Sequence, residues 1–145
     1  MVTILLVDDE PSTLEGLQAT LPQHYNVLTA ENGEVGLALA CSRLPDLIVT
    51  DRDMPTMDGV RLCEELDRYP ASRQIPVIMM SGHAWCGALP APWSVFLLKP
   101  VDPVALQSAI RSLVRQRCGN QSGGVLPRSP DRARRWAPIH KKLPL

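Results

Sequence analysis

A chain of 145 residues, 45% apolar and 21% charged, can bury one hydrophobic core of its own. Its formal charge is zero, but residues 1–117 hold nine Lys/Arg against fourteen Asp/Glu while residues 118–145 hold six basic residues against the single Asp131, so the folded part is acidic and nucleic acid is not its natural partner. Asp8, Asp9 and Glu10 arrive too early for a signal peptide, the uncharged window 74–98 is broken by Pro76, Gly82, Gly87, Pro90 and Pro92 and cannot be a spanning helix, and the widely spaced Cys41, Cys63, Cys86 and Cys118 read as reduced thiols of a cytoplasmic protein.

Ile4-Leu5-Leu6-Val7 is a short apolar strand that ends in two carboxylates, Asp8 and Asp9, instead of a turn residue. Ser12 and Glu15 then form a capping box for a helix with Leu14, Leu17 and Leu21 on one face. A second strand, 25–29, precedes a helix near 34–41 with Leu37 and Ala38 expected to face inward. The third strand, 47–50, ends in Asp51. Its loop holds Pro55 and Gly59, with Asp58 as a helix cap, and leads into a helix with Leu62, Cys63 and Leu66 on one stripe. Val77-Ile78-Met79-Met80 is a fourth strand ending at Ser81, and Val95-Phe96-Leu97-Leu98 a fifth ending at Lys99. Asp102 caps the final helix, Pro103 opens it, and Leu106, Ala109, Ile110, Leu113 and Val114 form its buried stripe. Five nearly continuous apolar strands separated by helices predict an α/β fold, a parallel sheet covered on both faces. In such a sheet ligands gather at the carboxyl ends of strands, so Asp8, Asp9, Asp51, Ser81 and Lys99 should converge.

Like charges brought together cost several kcal/mol unless something cationic neutralises them. The cluster therefore predicts a pocket for a divalent cation and a phosphoryl group. A hard cation such as Mg²⁺ takes carboxylates, waters and the phosphate itself. Asp51 is the candidate nucleophile, Asp9 and Asp51 the metal ligands with Asp8 acting directly or through water, and Lys99 and Ser81 the groups for the phosphoryl oxygens.

The runs Leu5-Leu6-Val7-Asp8-Asp9-Glu10-Pro11 and Asp51-Arg52-Asp53-Met54-Pro55-Thr56-Met57-Asp58-Gly59, with Ser81-Gly82 and Lys99-Pro100, resemble the response-regulator receiver family of bacterial two-component signalling over residues 1–117. The resemblance implies a doubly wound, flavodoxin-like sheet of strand order 2-1-3-4-5. It also implies that Asp51 accepts phosphate from a phosphohistidine on a sensor histidine kinase or histidine phosphotransfer protein. Mg²⁺ would sit on Asp9, Asp51 and the main-chain carbonyl of Asp53, supported by Asp8. Ser81 and Phe96 resemble the switch pair, in which the hydroxyl moves toward the phosphoryl group and the ring turns inward. Asp53 and His83 occupy positions that tune dephosphorylation, and Ser12, Thr13 and Gly16 positions that select the kinase. On this reading the protein is not an enzyme beyond its own phosphorylation and a weak autodephosphorylation, and it acts as a stand-alone, chemotaxis-type regulator with no DNA-binding domain.

Two departures stand out. Only fourteen residues separate Ser81 from Phe96, room for a helical turn or two around 84–89 in place of a full fourth helix. Trp85 and Trp93 lie there, either filling that space or exposed as a partner patch. Residues 118–145, rich in Gly, Pro and basic residues, read as a disordered tail. Two other functions fit parts of the pattern. One is an aspartyl-phosphate phosphatase of the haloacid dehalogenase type, which Asp51-Arg52-Asp53, Ser81 and Lys99 fit superficially, although Asp8-Asp9 precedes the nucleophile where that family's closing acidic pair follows the lysine, and Asp53 is not expected to fill the acid/base role of its second acid. The other is a docking module indifferent to phosphorylation.

Overall fold

The apolar runs pair in one parallel sheet, so that every acid or base ending a strand arrives at the same rim. The structure, a computed structural model, describes residues 1–87 and 91–123, with side chains as far as 117. The strands are β1 (Thr3–Val7), β2 (Asn26–Ala30), β3 (Leu47–Asp51), β4 (Val77–Ser81) and β5 (Val95–Leu98), in the order β2-β1-β3-β4-β5. The helices are α1 (Pro11–Thr20), α2 (Gly33–Arg43), α3 (Gly59–Leu66) and α4 (Pro103–Gly123), with a 3₁₀ turn at Ser72–Gln74. All pairings are parallel, the flavodoxin-like order that the sequence implied.

Apolar residues on both faces of the central strands demand cover on both sides. Leu5, Val7, Ile48, Val77 and Met79 pack with Leu62, Cys63 and Leu66 of α3, whereas Ile4, Leu6, Leu47, Val49, Ile78 and Met80 pack with Leu14 of α1 and Leu106, Ile110 and Leu113 of α4. Asp58 caps α3 by accepting from the Arg61 N–H, and Asp102 accepts from the Val104 N–H at the start of α4. Far from the rim, Arg117 ties α4 to the main-chain oxygen of Gln74 at 3.2 Å and lies 3.8 Å from Asp46.

Three local expectations change. Helix α1 starts at Pro11, with no side-chain cap on Glu10, so Ser12 and Glu15 lie inside it instead of forming a capping box; Pro at the first position already suits a helix start. Helix α2 buries Gly33, Gly36 and Ala40, with Leu37 half-buried and Ala38 exposed. Its core-facing stripe is glycine-lined because the helix lies tight on β1: a Cβ on Gly36 would meet Val7 at 3.0 Å. Residues 82–87 and 91–94 form no helix; glycine and proline disfavour one there, and residues 88–90 fall outside the described set. At the other end α4 continues to Gly123, past the boundary at 117, and the tail expectation for 124–145 lies outside the described residues.

Between β4 and β5, where the described residues form no helix, Ala91 and a fully buried Trp93 cover the sheet beside α3, with Trp93 against Phe96 at 5.2 Å between ring centroids. Trp85, half-buried, stands edge-on to Trp93 at 4.6 Å. Of the two readings of these tryptophans, space-filling holds for Trp93. Ser94 locks the entry to β5, its N–H donating to the Val77 carbonyl and its hydroxyl accepting from the Val77 N–H.

Candidate functional site

Strand register assembles the site. Val7 lies opposite Thr50, so Asp8 and Asp51 emerge side by side at the ends of β1 and β3. Asp51 in turn lies opposite Met80, and Ser81 opposite Leu98, which sets Lys99 just beyond Ser81. The Lys99 N–H donates to the Ser81 carbonyl at 2.8 Å. Gly59 lets the loop after β3 close on the strand end: its N–H donates to the Arg52 carbonyl, and a Cβ there would lie 2.5 Å from the Asp51 carbonyl oxygen and 2.6 Å from the Met79 sulfur.

Carboxylate oxygens of Asp8, Asp9 and Asp51 come within 4.8 Å of one another, with Asp8 and Asp51 buried and Asp9 exposed. Lys99 Nζ lies 2.9 Å from Asp51 Oδ1 and 3.8 Å from Asp8 Oδ2. Burial lowers the Lys99 pKa, but the hydrogen bond it donates to Asp51 and the charges of Asp51, Asp8 and Asp53 outweigh it and hold the ammonium above its usual range. It is a fixed positive charge on the Asp51 carboxylate. Asp8 behaves oppositely. Burial above all, with the Asp51 charge and a contact to Asp9, pushes its carboxyl up to about 6 against the pull of the Glu10 N–H and Lys99. The Glu10 N–H holds Oδ1 at 2.9 Å, while Oδ2 is buried without a hydrogen-bond partner.

That orphaned oxygen tests the metal expectation. A hard divalent cation satisfies a buried carboxylate oxygen and neutralises its neighbours, so the donor set fits. Asp53 stands apart: its side chain is 65% exposed and 4.0 Å from Arg52, outside the carboxylate cluster. That position suits an Asp53 whose side chain takes no acid/base part, as the sequence led us to expect. Ser81 is buried at the rim with its Oγ accepting from the His83 N–H at 3.1 Å; His83 is exposed. Phe96 is 6% exposed, its ring already inside the core.

One contact escaped the sequence. The Arg52 guanidinium lies over the Trp85 ring, 5.4 Å from its centroid. Arg52 was visible beside Asp51, but its partner lies 33 positions later in a segment with no periodic signal, so only the fold joins them.

Comparison with known proteins agrees with this geometry. A family model described as the response regulator receiver domain matches residues 4–111. The response regulator PleD of Caulobacter vibrioides is 40% identical over 117 residues, 77% of this chain and 26% of that protein. The signal transduction histidine-protein kinase BarA of Escherichia coli is 34% identical over 116 residues, 75% of this chain and 12% of that protein. The chain thus spans about a quarter or less of the length of these curated relatives. Among solved structures, the signal receiver domain of an HD domain-containing protein from Pseudomonas fluorescens superposes with a TM-score of 0.75 at 26% identity, covering 82% of this chain and 98% of that one.

Proposed function

This chain belongs to the response regulator receiver domain family, and on that premise we propose that Asp51 is its phosphoacceptor, served by Lys99 and Ser81. The observation that carries the proposal is the 2.9 Å contact of Lys99 Nζ with the Asp51 carboxylate inside the ring of acids at the strand ends. A receiver domain is a phosphate-accepting signalling module of two-component systems; what is proposed is which residues do the work here.

The donor is a phosphohistidine on a sensor kinase or phosphotransfer protein. An Asp51 carboxylate oxygen attacks phosphorus in line, the P–N bond breaks as the new P–O bond forms, and the electron pair leaves with the histidine, which takes up a proton. Lys99 meets the phosphoryl oxygens as charge moves onto them, exchanging its contact with the carboxylate for one with the phosphate. Ser81 releases the His83 N–H and turns its hydroxyl to the same oxygens. Asp8, Asp9 and Asp51, with the Asp53 carbonyl, would hold Mg²⁺, which when bound neutralises the phosphoryl charge. Asp53 and His83, both exposed at the mouth, meet the water that later hydrolyses the acyl phosphate and so tune its lifetime.

A mostly apolar cleft of about 330 Å³ lies beside the acceptor, lined by Thr13, Gly16 and Leu17 of α1, by Lys99 and Pro100, and by Pro103. It offers the donor protein a seat from which its histidine reaches Asp51. Recognition there discriminates kinases through Thr13 and Gly16, and Ser12 lies exposed on the same helix. Among the described helices none is long and apolar enough to cross a membrane.

Transfer from a phosphorylated histidine phosphotransfer domain tests the assignment. Label should move to the wild-type chain and not to Asp51→Asn, and Gly16→Arg, which crowds the cleft, should slow transfer from the protein donor while leaving acetyl phosphate as effective as before. Equal labelling of Asp51→Asn would contradict it.

A further inference from the structure

Phosphorylation of a receiver must move something, and Phe96 has little room to move. Its ring is already buried and is held by Trp93, which has no exposed surface. A closely packed ring with its inward position filled lacks a second position to adopt. The half-buried end of the same stack is Trp85, edge-on to Trp93. Trp85 carries the guanidinium of Arg52 on its ring, and Arg52 follows Asp51 directly, its Cα about 3.8 Å from that of the acceptor.

We infer that in this protein the phosphoryl signal leaves the site through the Arg52–Trp85 contact and not through rotation of Phe96. The inference rests on Asp51 being the acceptor. Among the described residues the Arg52 guanidinium meets two weak partners, a half-exposed aromatic face and the carboxylate of Asp53 at 4.0 Å, itself largely in solvent. A phosphoryl group on Asp51 adds about one net negative charge, since the carboxylate it replaces already carries one, and brings three strong acceptor oxygens to the residue that precedes Arg52. Guanidinium prefers such oxygens, which it meets with short, charge-assisted and often bidentate hydrogen bonds. The cation therefore leaves the ring for the phosphate, and Trp85 loses the group that lay over it. Arg52 thus has two alternative seats whose relative strength depends on the state of Asp51, the requirement for a switch.

Tryptophan emission reads this directly. In a Trp136→Phe background, so that only Trp85 and Trp93 report, the protein is mixed with Mg²⁺ and acetyl phosphate, with acyl phosphate measured in parallel by mass. The expected result is an emission shift on phosphorylation that persists in Phe96→Leu, disappears in Trp85→Phe, and disappears in Arg52→Gln although the acyl phosphate still forms. A shift retained in Arg52→Gln or in Trp85→Phe, or one lost in Phe96→Leu, overturns the inference. Arg52→Gln unable to take up phosphate would assign Arg52 to the transfer chemistry and overturn it as well. Absence of acyl phosphate in the parent would instead sink the acceptor assignment on which the inference rests.

Discussion

Asp8 and Lys99 show how one pocket sets two charges in opposite directions. Lys99 is kept protonated by the carboxylates around it, whereas Asp8 is pushed toward the neutral form by burial and by Asp51. In the unfolded chain the Asp8 carboxyl titrates near 3.8 and in the folded metal-free protein at about 6. Because the folded value is the higher, the stabilising effect of protonation is complete below 3.8 and is lost as pH rises through 6. At about 1.4 kcal/mol per pKa unit, ionising Asp8 at neutral pH costs on the order of 2–3 kcal/mol. Asp8→Asn should recover most of this without metal, raising the denaturation midpoint at pH 7 and flattening the pH 4–6 slope of stability in chemical unfolding, while weakening Mg²⁺ binding. A destabilised Asp8→Asn protein at pH 7 would mean that the carboxylate is stabilised there by something other than a metal. Lys99→Ala should slow phosphoryl uptake from acetyl phosphate by about 100-fold, the usual scale for loss of one charge-stabilising donor, as followed by the rate of acyl phosphate formation.

The elements that set the site were legible in the sequence because each is local. Strand runs, the acids ending β1 and β3, the Asp58 and Asp102 caps and the stripe of α4 need only neighbours within a turn or two. What was not legible depends on close approach between elements. The inward face of α2 could not be read from Leu37 and Ala38, since its fit to Val7 is made by the missing side chain of Gly36. The fate of Trp85 and Trp93 depended on how an aperiodic segment lies over the sheet beside α3. These contacts carry different weights. Trp93→Ala empties a core site and should cost about 3–5 kcal/mol, whereas Trp85→Ala removes a half-buried ring with its edge contact to Trp93 and the Arg52 cation over it and should cost less, about 1–2 kcal/mol, a contrast that equilibrium denaturation resolves. Gly59→Ala forces a Cβ against the Asp51 carbonyl and Met79; it should destabilise by about 1–3 kcal/mol and displace the acceptor, so that phosphoryl uptake falls together with stability.

On the scale of the molecule, the acidic rim at the strand ends adjoins a flank on which no helix stands among the described residues between β4 and β5. The rim of the sheet gathers Asp8, Asp9, Asp51, Ser81 and Lys99 as strand register requires, while the layer beside α3 is filled by Ala91 and the buried Trp93. The family match ends at residue 111, so a chain truncated after Gly123 should take up phosphate at the full-length rate. The most direct test of the central claim is to incubate the full chain with Mg²⁺ and acetyl phosphate and to map the modified residue by mass. One hydroxylamine-sensitive phosphoryl group on Asp51, absent from Asp51→Asn and much reduced when the metal is chelated, is the result the structure predicts. A phosphoryl group on another residue, or steady hydrolysis of phosphomonoesters without any adduct on Asp51, would contradict it.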